Sequence, residues 1–154
     1  MEDQLENYRN LAYRYLTIRN RSEKEIRDYL ASKKASQEVI DRIVTSLIEK
    51  KFLNDEEFAR LWIRQRARLK PKGKALLKIE LRQKGISDEI ITTVLSEIQE
   101  DIPDELEQAK RLISRKMQQL AGKPRQETYA KVGAFLARRG FSWEVSKKAI
   151  ESFL

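Results

Sequence analysis

The sequence predicts an all-α fold of three tandem three-helix units, and three observations predict it. First, a helix-turn-helix pattern recurs three times with the same internal spacing. It runs Ile26, Leu30, Lys34, Ala35, Ser36, Ile40, Val44, then Leu77, Leu81, Gly85, Ile86, Ser87, Ile91, Leu95, then Val132, Leu136, Gly140, Phe141, Ser142, Ser146, Ile150. Agreement at all seven places, over separations of 51 and 55 residues, marks one supersecondary unit used in tandem. Second, a further helical segment precedes each pair, with anchors four apart at Ala12 and Leu16, Ala59 and Ile63, Ala109 and Ile113. Third, five glycines and three prolines among 154 residues, with 36% charged side chains, suit helices joined by short turns.

Each unit opens with that Ala-anchored helix. The connection to the next stripe takes 14 residues in the first unit, 18 in the second and 23 in the third. Pro71 and Gly73 break the second connection, Gly122 and Pro124 the third. The second helix carries its stripe at a spacing of four and stops where Gly85 or Gly140 takes the left-handed conformation that glycine adopts at little cost. Ser36, Ser87 and Ser142 then serve as N-caps of the third helix, and Glu38, Glu89 and Glu144 complement its dipole. The units are expected at residues 1–53, 54–100 and 101–154. Units of about 50 residues bury only about 60% of their unfolded surface, so they should stack.

Composition removes several kinds of chemistry. Zero cysteines and zero histidines exclude disulfides, thiol nucleophiles, the usual zinc sites and histidine acid–base catalysis. No catalytic residue, cofactor or metal is expected. With no 18-residue apolar run and no signal-peptide pattern, the chain reads as a cytosolic monomer without a membrane partner.

Charge is divided sharply along the chain. Residues 1–59 carry 11 basic and 12 acidic groups, and 60–84 carry 10 basic groups against the single Glu80. Residues 85–109 hold 8 acidic groups and no basic one, and 110–148 hold 11 basic and 2 acidic. In the middle unit Arg60, Arg64 and Arg68 recur every four residues, opposite an apolar face with Phe58, Ala59 and Trp62. Lys74, Lys78 and Arg82 form a second stripe beside Leu77 and Leu81, and Lys70 and Lys72 join the two through the turn. Solvated faces made only for solubility usually mix signs, so a phosphate-tracking surface is the better reading. Six to ten phosphate contacts would cost about 10³ to 10⁵-fold in affinity between 50 and 200 mM salt.

Tyr13, Tyr15, Phe58, Trp62 and Phe135 lie at helical spacing among aliphatic residues and read as core. Trp143 follows Ser142, where the other units place Gln37 and Asp88. It either faces outward beside Arg138, Arg139, Lys147 and Lys148 as a stacking or anchor residue, or closes over Phe153 at the chain terminus.

The segments RYLTIRNRSEKEIRDYL (14–30), FLNDEEFARLWIRQRAR (52–68), GKALLKIELRQKGIS (73–87) and KVGAFLARRGFS (131–142) resemble the RecX family of regulatory proteins, the bacterial modulators of the RecA recombinase. The carrying positions are Arg21-Ser22 with Glu25, Leu53-Asn54-Asp55 followed by Phe58-Ala59, and Leu81 with Lys84-Gly85-Ile86. Lys34 and Lys51 depart from the pattern by standing where glycine is expected. The resemblance implies an elongated, curved chain that binds the groove of the RecA–DNA filament and inhibits ATP hydrolysis and strand exchange. It also implies binding to single- and double-stranded DNA, without strong sequence preference. Ser22, Asp55 and Gly85 read as caps and turns rather than as partner contacts.

Two other readings are weaker. Gly73-Lys74 lacks the upstream glycine of a phosphate-binding loop, and Ala75 replaces its Ser or Thr. Asp55-Glu56-Glu57 in a first helical turn is an ordinary dipole complement before it is a cation site. An autonomous helix-turn-helix DNA-binding regulator would need Arg, Asn or Gln at the start of its recognition helix. Here those positions hold Gln37-Glu38, Asp88-Glu89 and Trp143-Glu144, whose carboxylates repel phosphate. A passive helical scaffold would leave the segregated charge unexplained.

Overall fold

The computed structural model describes residues 2–69, 71–98 and 104–154, and these form nine helices. The first unit comprises α1 (Glu2–Ile18), α2 (Glu23–Ser32) and α3 (Gln37–Glu49). The second comprises α4 (Asp55–Leu69), α5 (Lys74–Gln83) and α6 (Asp88–Glu97), and the third α7 (Glu105–Gln119), α8 (Arg125–Arg138) and α9 (Trp143–Glu151). Each unit has its own apolar cluster. Ile26, Leu30, Ile43 and Leu47 centre the first, Ile63, Leu81 and Ile91 the second, Ile113, Leu136 and Ile150 the third. Burying one such side chain contributes roughly 1.5–3 kcal/mol, so these anchors supply much of each unit's cohesion.

The expected turn chemistry is present in all three units. Ser36, Ser87 and Ser142 accept hydrogen bonds from the backbone N–H of Val39, Ile90 and Val145 at 3.2–3.3 Å. At the end of each second helix the Schellman pair forms, with Ala35, Ile86 and Phe141 N–H donating to Leu30, Leu81 and Leu136 carbonyls. The residue between is left-handed each time: Lys34 at φ 72°, Gly85 at 80° and Gly140 at 87°. Lys51 takes the same conformation, φ 64°, after α3. Lysine therefore serves the dihedral where the sequence departs from the glycine pattern.

What demands glycine in the later units is space. A Cβ on Gly85 would lie 2.4 Å from Lys24 Cβ, and one on Gly140 would lie 2.7 Å from the Leu76 backbone nitrogen. Both neighbours belong to the unit before. The C-terminal end of α5 is pressed onto the start of α2, and the end of α8 onto the start of α5. Ser22 Oγ donates to Lys84 O at 2.7 Å, and Gly73 N–H donates to Arg139 O at 2.7 Å. Second helices thus meet head to tail at both junctions, each carbonyl end facing the positive end of the preceding helix.

Candidate nucleic-acid interface

The head-to-tail contact decides where the basic groups stand. Because Gly73 N–H donates to Arg139 O, the stretch Lys72–Lys74 abuts Arg138 and Arg139, although 65 residues separate Gly73 from Arg138 in sequence. Two basic blocks that the acidic segment 85–109 keeps apart along the chain therefore meet in space. Exposed at or near this junction are Lys74, on the first turn of α5, and Arg138, on the last turn of α8. Arg64 and Arg68 are exposed on α4, and Lys78 is half-buried one turn beyond Lys74. Among the described residues Arg68, Lys74, Lys78, Arg138 and Lys147 carry no ion pair, so their positive charge is uncompensated.

Other residues of the expected set are engaged within the fold. Arg60 turns toward α6, with Glu97 at 2.8 Å and Glu56 and Glu57 both at 3.4 Å. Its guanidinium is held above the ordinary arginine range by the Glu97 hydrogen bond. Arg82 pairs with Asp88 at 2.6 Å, and Lys148 with Glu144 at 3.4 Å. Lys72 binds Glu80. Arg139 lies half-buried with its guanidinium carbon 5.0 Å from the Phe135 ring centre. Lys70 lies outside the described residues. Exposed pairs such as Arg82–Asp88 contribute roughly 0–1 kcal/mol and exchange partners readily, whereas Arg60 bridges α4 and α6 and Lys72 is held by the half-buried Glu80.

Glu80, the lone acid among ten basic groups, is the node that sequence reading missed. Its carboxylate accepts from the Trp62 indole N–H at 3.2 Å, holds Lys72, and lies 3.6 Å from Arg66. Arg66 in turn stacks over Trp62 at 4.5 Å, with Lys84 5.4 Å from the same ring. Trp62 is consequently only half-buried and couples α4 to α5 through a polar contact as well as by packing. A single acid within a basic run is the signal that could have pointed to it.

Charge also crosses the first junction. Glu25 accepts from Ser22 N–H at 3.1 Å, binds Arg19, and lies 3.4 Å from Lys84 of the second unit. Burial pushes the Glu25 carboxyl up, but the Arg19 hydrogen bond, the Ser22 N–H and the charges of Arg19 and Lys84 outweigh it. The net position is below the ordinary glutamate value. Asp55 acts as a cap, on a helix other than its own. Asn54 caps α4, whereas the Asp55 carboxylate accepts from Glu23 N–H at the start of α2, 2.9 Å away.

In the third unit Trp143 is 57% exposed. Its ring leans on Tyr129, with centroids 6.2 Å apart, and covers Gly133, whose Cβ position lies 3.1 Å from the indole. The indole thus rests on α8 and leaves more than half its surface open beside Lys147.

An all-helical chain of three repeated units joined head to tail belongs to the class of helical-repeat proteins. The chain also matches three family models that together run through all three units. These are the first three-helix domain of RecX over residues 9–47, the second over 54–95 and the third over 103–150. It is 34% identical over 137 residues to the regulatory protein RecX of Bacillus pumilus, covering 89% of this chain and 51% of that protein. Against the RecX of Mycolicibacterium smegmatis identity is 33% over 141 residues, covering 89% and 74%. The crystal structure of RecX from Lactobacillus salivarius superposes with a TM-score of 0.88 at 24% identity, covering 99% of this chain and 98% of that one. The chain belongs to the RecX family of regulatory proteins. It spans about half the length of several curated relatives, including those of Bacillus pumilus and Streptococcus uberis. No helix of the described residues is long and apolar enough to cross a membrane.

Proposed function

We propose that this chain binds the nucleoprotein filament formed on DNA by a RecA-type recombinase, and that it restrains the filament. ATP hydrolysis and strand exchange fall because filament growth is hindered or disassembly promoted. One observation carries the reading beyond family membership: the second junction joins two basic blocks into one surface around Lys74, Lys78 and Arg138. A filament groove offers phosphate along an extended path, and an extended array of uncompensated cations is what can follow it. Phosphate contacts of this kind position a protein without reading bases, so discrimination between unrelated duplexes is weak.

The experiment is a titration of recombinase ATPase on single-stranded DNA. The expected result is a fall in rate at or below stoichiometric amounts of this chain, which hydrolyses no ATP itself. The combined variant Arg68→Glu, Lys74→Glu, Lys78→Glu and Arg138→Glu loses DNA and filament binding but keeps its helical content. Substitutions at the exposed Arg68, Lys74 and Arg138 alter stability by less than about 0.5 kcal/mol each, and the half-buried Lys78 is checked by the same helical-content measurement. An unchanged ATPase rate across the full titration with folded protein ends this reading. Strong preference for one duplex sequence would favour a gene regulator instead.

A further inference from the structure

The first two units enclose a cleft of about 450 Å³ on a face formed by the end of α3, the turn after it and the starts of α2 and α4. Its apolar wall is Ile48, Leu53 and Ile90. Ile48 is 47% exposed, at the end of a helix that otherwise buries its aliphatic face. The rim is acidic, with Glu23, Asp55 and Glu56 against Lys51.

The carboxylates are only partly compensated. Glu23 lies 4.0 Å from Arg27, and Glu56 lies 3.4 Å from Arg60, which the nearer Glu97 also holds. Asp55 forms no ion pair among the described residues. Burial raises its pKa, the Glu23 N–H opposes that shift, and the Glu23 charge adds to it. Phosphate is repelled by such a rim, so this face is unsuited to the DNA that the surface around Lys74 and Arg138 fits. An apolar wall beneath a negative rim suits an aliphatic side chain with a cation next to it, because the cation meets a carboxylate as the side chain leaves water.

We infer that the cleft between the first two units is a protein-docking site for a segment carrying an aliphatic side chain flanked by lysine or arginine. Resting on the functional reading above, the occupant is the recombinase component of the filament. The chain then grips DNA and protein with different faces, and the second contact forms at high effective concentration once the first is made.

Two measurements test this. In the first, the peptide acetyl-Lys-Leu-Leu-Lys-amide is titrated into the 154-residue chain with labelled isoleucine methyl groups. The Ile48 and Ile90 resonances are expected to shift, and acetyl-Glu-Leu-Leu-Glu-amide is expected to leave them in place. Equal response to both peptides, or to neither, overturns the assignment. In the second, Ile48→Lys and the conservative Ile48→Leu are compared for binding to recombinase-coated single-stranded DNA and to naked single-stranded DNA. Ile48→Lys is expected to weaken filament binding by about tenfold and naked-DNA binding by less than about twofold, with Ile48→Leu near wild type. Filament affinity retained by Ile48→Lys overturns the proposal, as does equal loss on both ligands. Self-association of the wild-type chain that Ile48→Lys abolishes assigns the cleft to a second copy and overturns it too. Wild-type protein that fails to bind the filament removes the functional reading instead, and the peptide titration still decides the cleft.

Discussion

The two junctions of this chain solve one geometric problem with different chemistry. Both bring the carbonyl end of a second helix onto the start of the preceding one, yet the first is bridged through side chains and the second adds a direct backbone-to-backbone hydrogen bond. At the first, Ser22 Oγ reaches Lys84 O, Glu25 meets Lys84 and Asp55 caps Glu23 N–H. At the second, Gly73 N–H meets Arg139 O directly, and Lys74 N–H is taken by Glu105 Oε1 at 2.9 Å. A side-chain junction can relax when one group is removed. The backbone atoms pressed against Gly73 at the second have no such freedom, and Lys74 and Arg138 stand exposed beside them.

The strongest way to break this contrast is to add one methyl group at the second junction. Gly73 has an ordinary φ of −68°, so its identity is dictated by contact rather than conformation. A Cβ there would lie 2.1 Å from Gly140 O and 2.6 Å from Phe141 N, both backbone atoms that cannot swing aside. Gly73→Ala should destabilise by about 3 kcal/mol, at the upper end of overpacking costs. Urea unfolding followed separately by Trp62 and Trp143 fluorescence should then lose coincidence, with the third unit uncoupled. A single transition with an unchanged midpoint would show that the junction yields easily.

Much of this architecture was legible in the sequence, because repeated spacing reports local structure. Serine caps, left-handed glycines and core stripes depend on residues within a turn or two, and each appears where the offsets place it. The junctions depend on residues 62 and 66 positions apart, as in Ser22 with Lys84 and Gly73 with Arg139, so no periodicity carries them. The glycine pattern contained half the reason: Gly85 and Gly140 satisfy a dihedral that Lys34 also satisfies, but only docking explains why they carry no side chain. The basic stripes were legible as composition and not as free charge. Arg60 follows the same four-residue spacing as Arg64 and Arg68 yet is held by Glu97, 37 residues on. Helical spacing shows which face a residue occupies and says nothing of which distant acid meets it.

A smaller effect is expected from the side-chain junction. Ser22→Ala removes the cap of α2 and leaves Lys84 O without its donor, a loss of about 2 kcal/mol when cap and cross-junction bond are taken together. The pH dependence separates that contact from the ionic one. Glu25 has a folded pKa below its ordinary value of 4.5. Its stabilisation is therefore complete above that value and is lost as pH falls through the depressed folded value. Glu25→Gln should lower stability at pH 7 and flatten the acid limb below about pH 4.5, measured by urea midpoints from pH 7 to pH 3. An acid limb as steep as that of wild type would assign the loss to other carboxylates.

The smallest effect sharpens the comparison most, because it tests the helix end where nothing docks. Lys34 holds φ 72° at the end of α2, the position that Gly85 and Gly140 occupy in the units that press onto a neighbour. Its side chain is exposed, and the Tyr8 hydroxyl donates to the adjacent Lys33 carbonyl at 3.0 Å. A non-glycine residue in this conformation is strained by roughly 1–2 kcal/mol, and glycine would relieve that strain. Glycine also loses more freedom on folding, by roughly 0.5–1 kcal/mol, so the two terms nearly offset. Lys34→Gly should accordingly raise stability by about 0.5 kcal/mol, seen as a small increase in urea midpoint with an unchanged slope. The reverse change, Gly140→Lys, meets the same dihedral with Leu76 in the way and should unfold or detach the third unit. If Lys34→Gly instead destabilised by more than about 1 kcal/mol, the lysine side chain would be making a contact of its own. The difference between the first helix end and the other two would then not reduce to whether a neighbour is docked there.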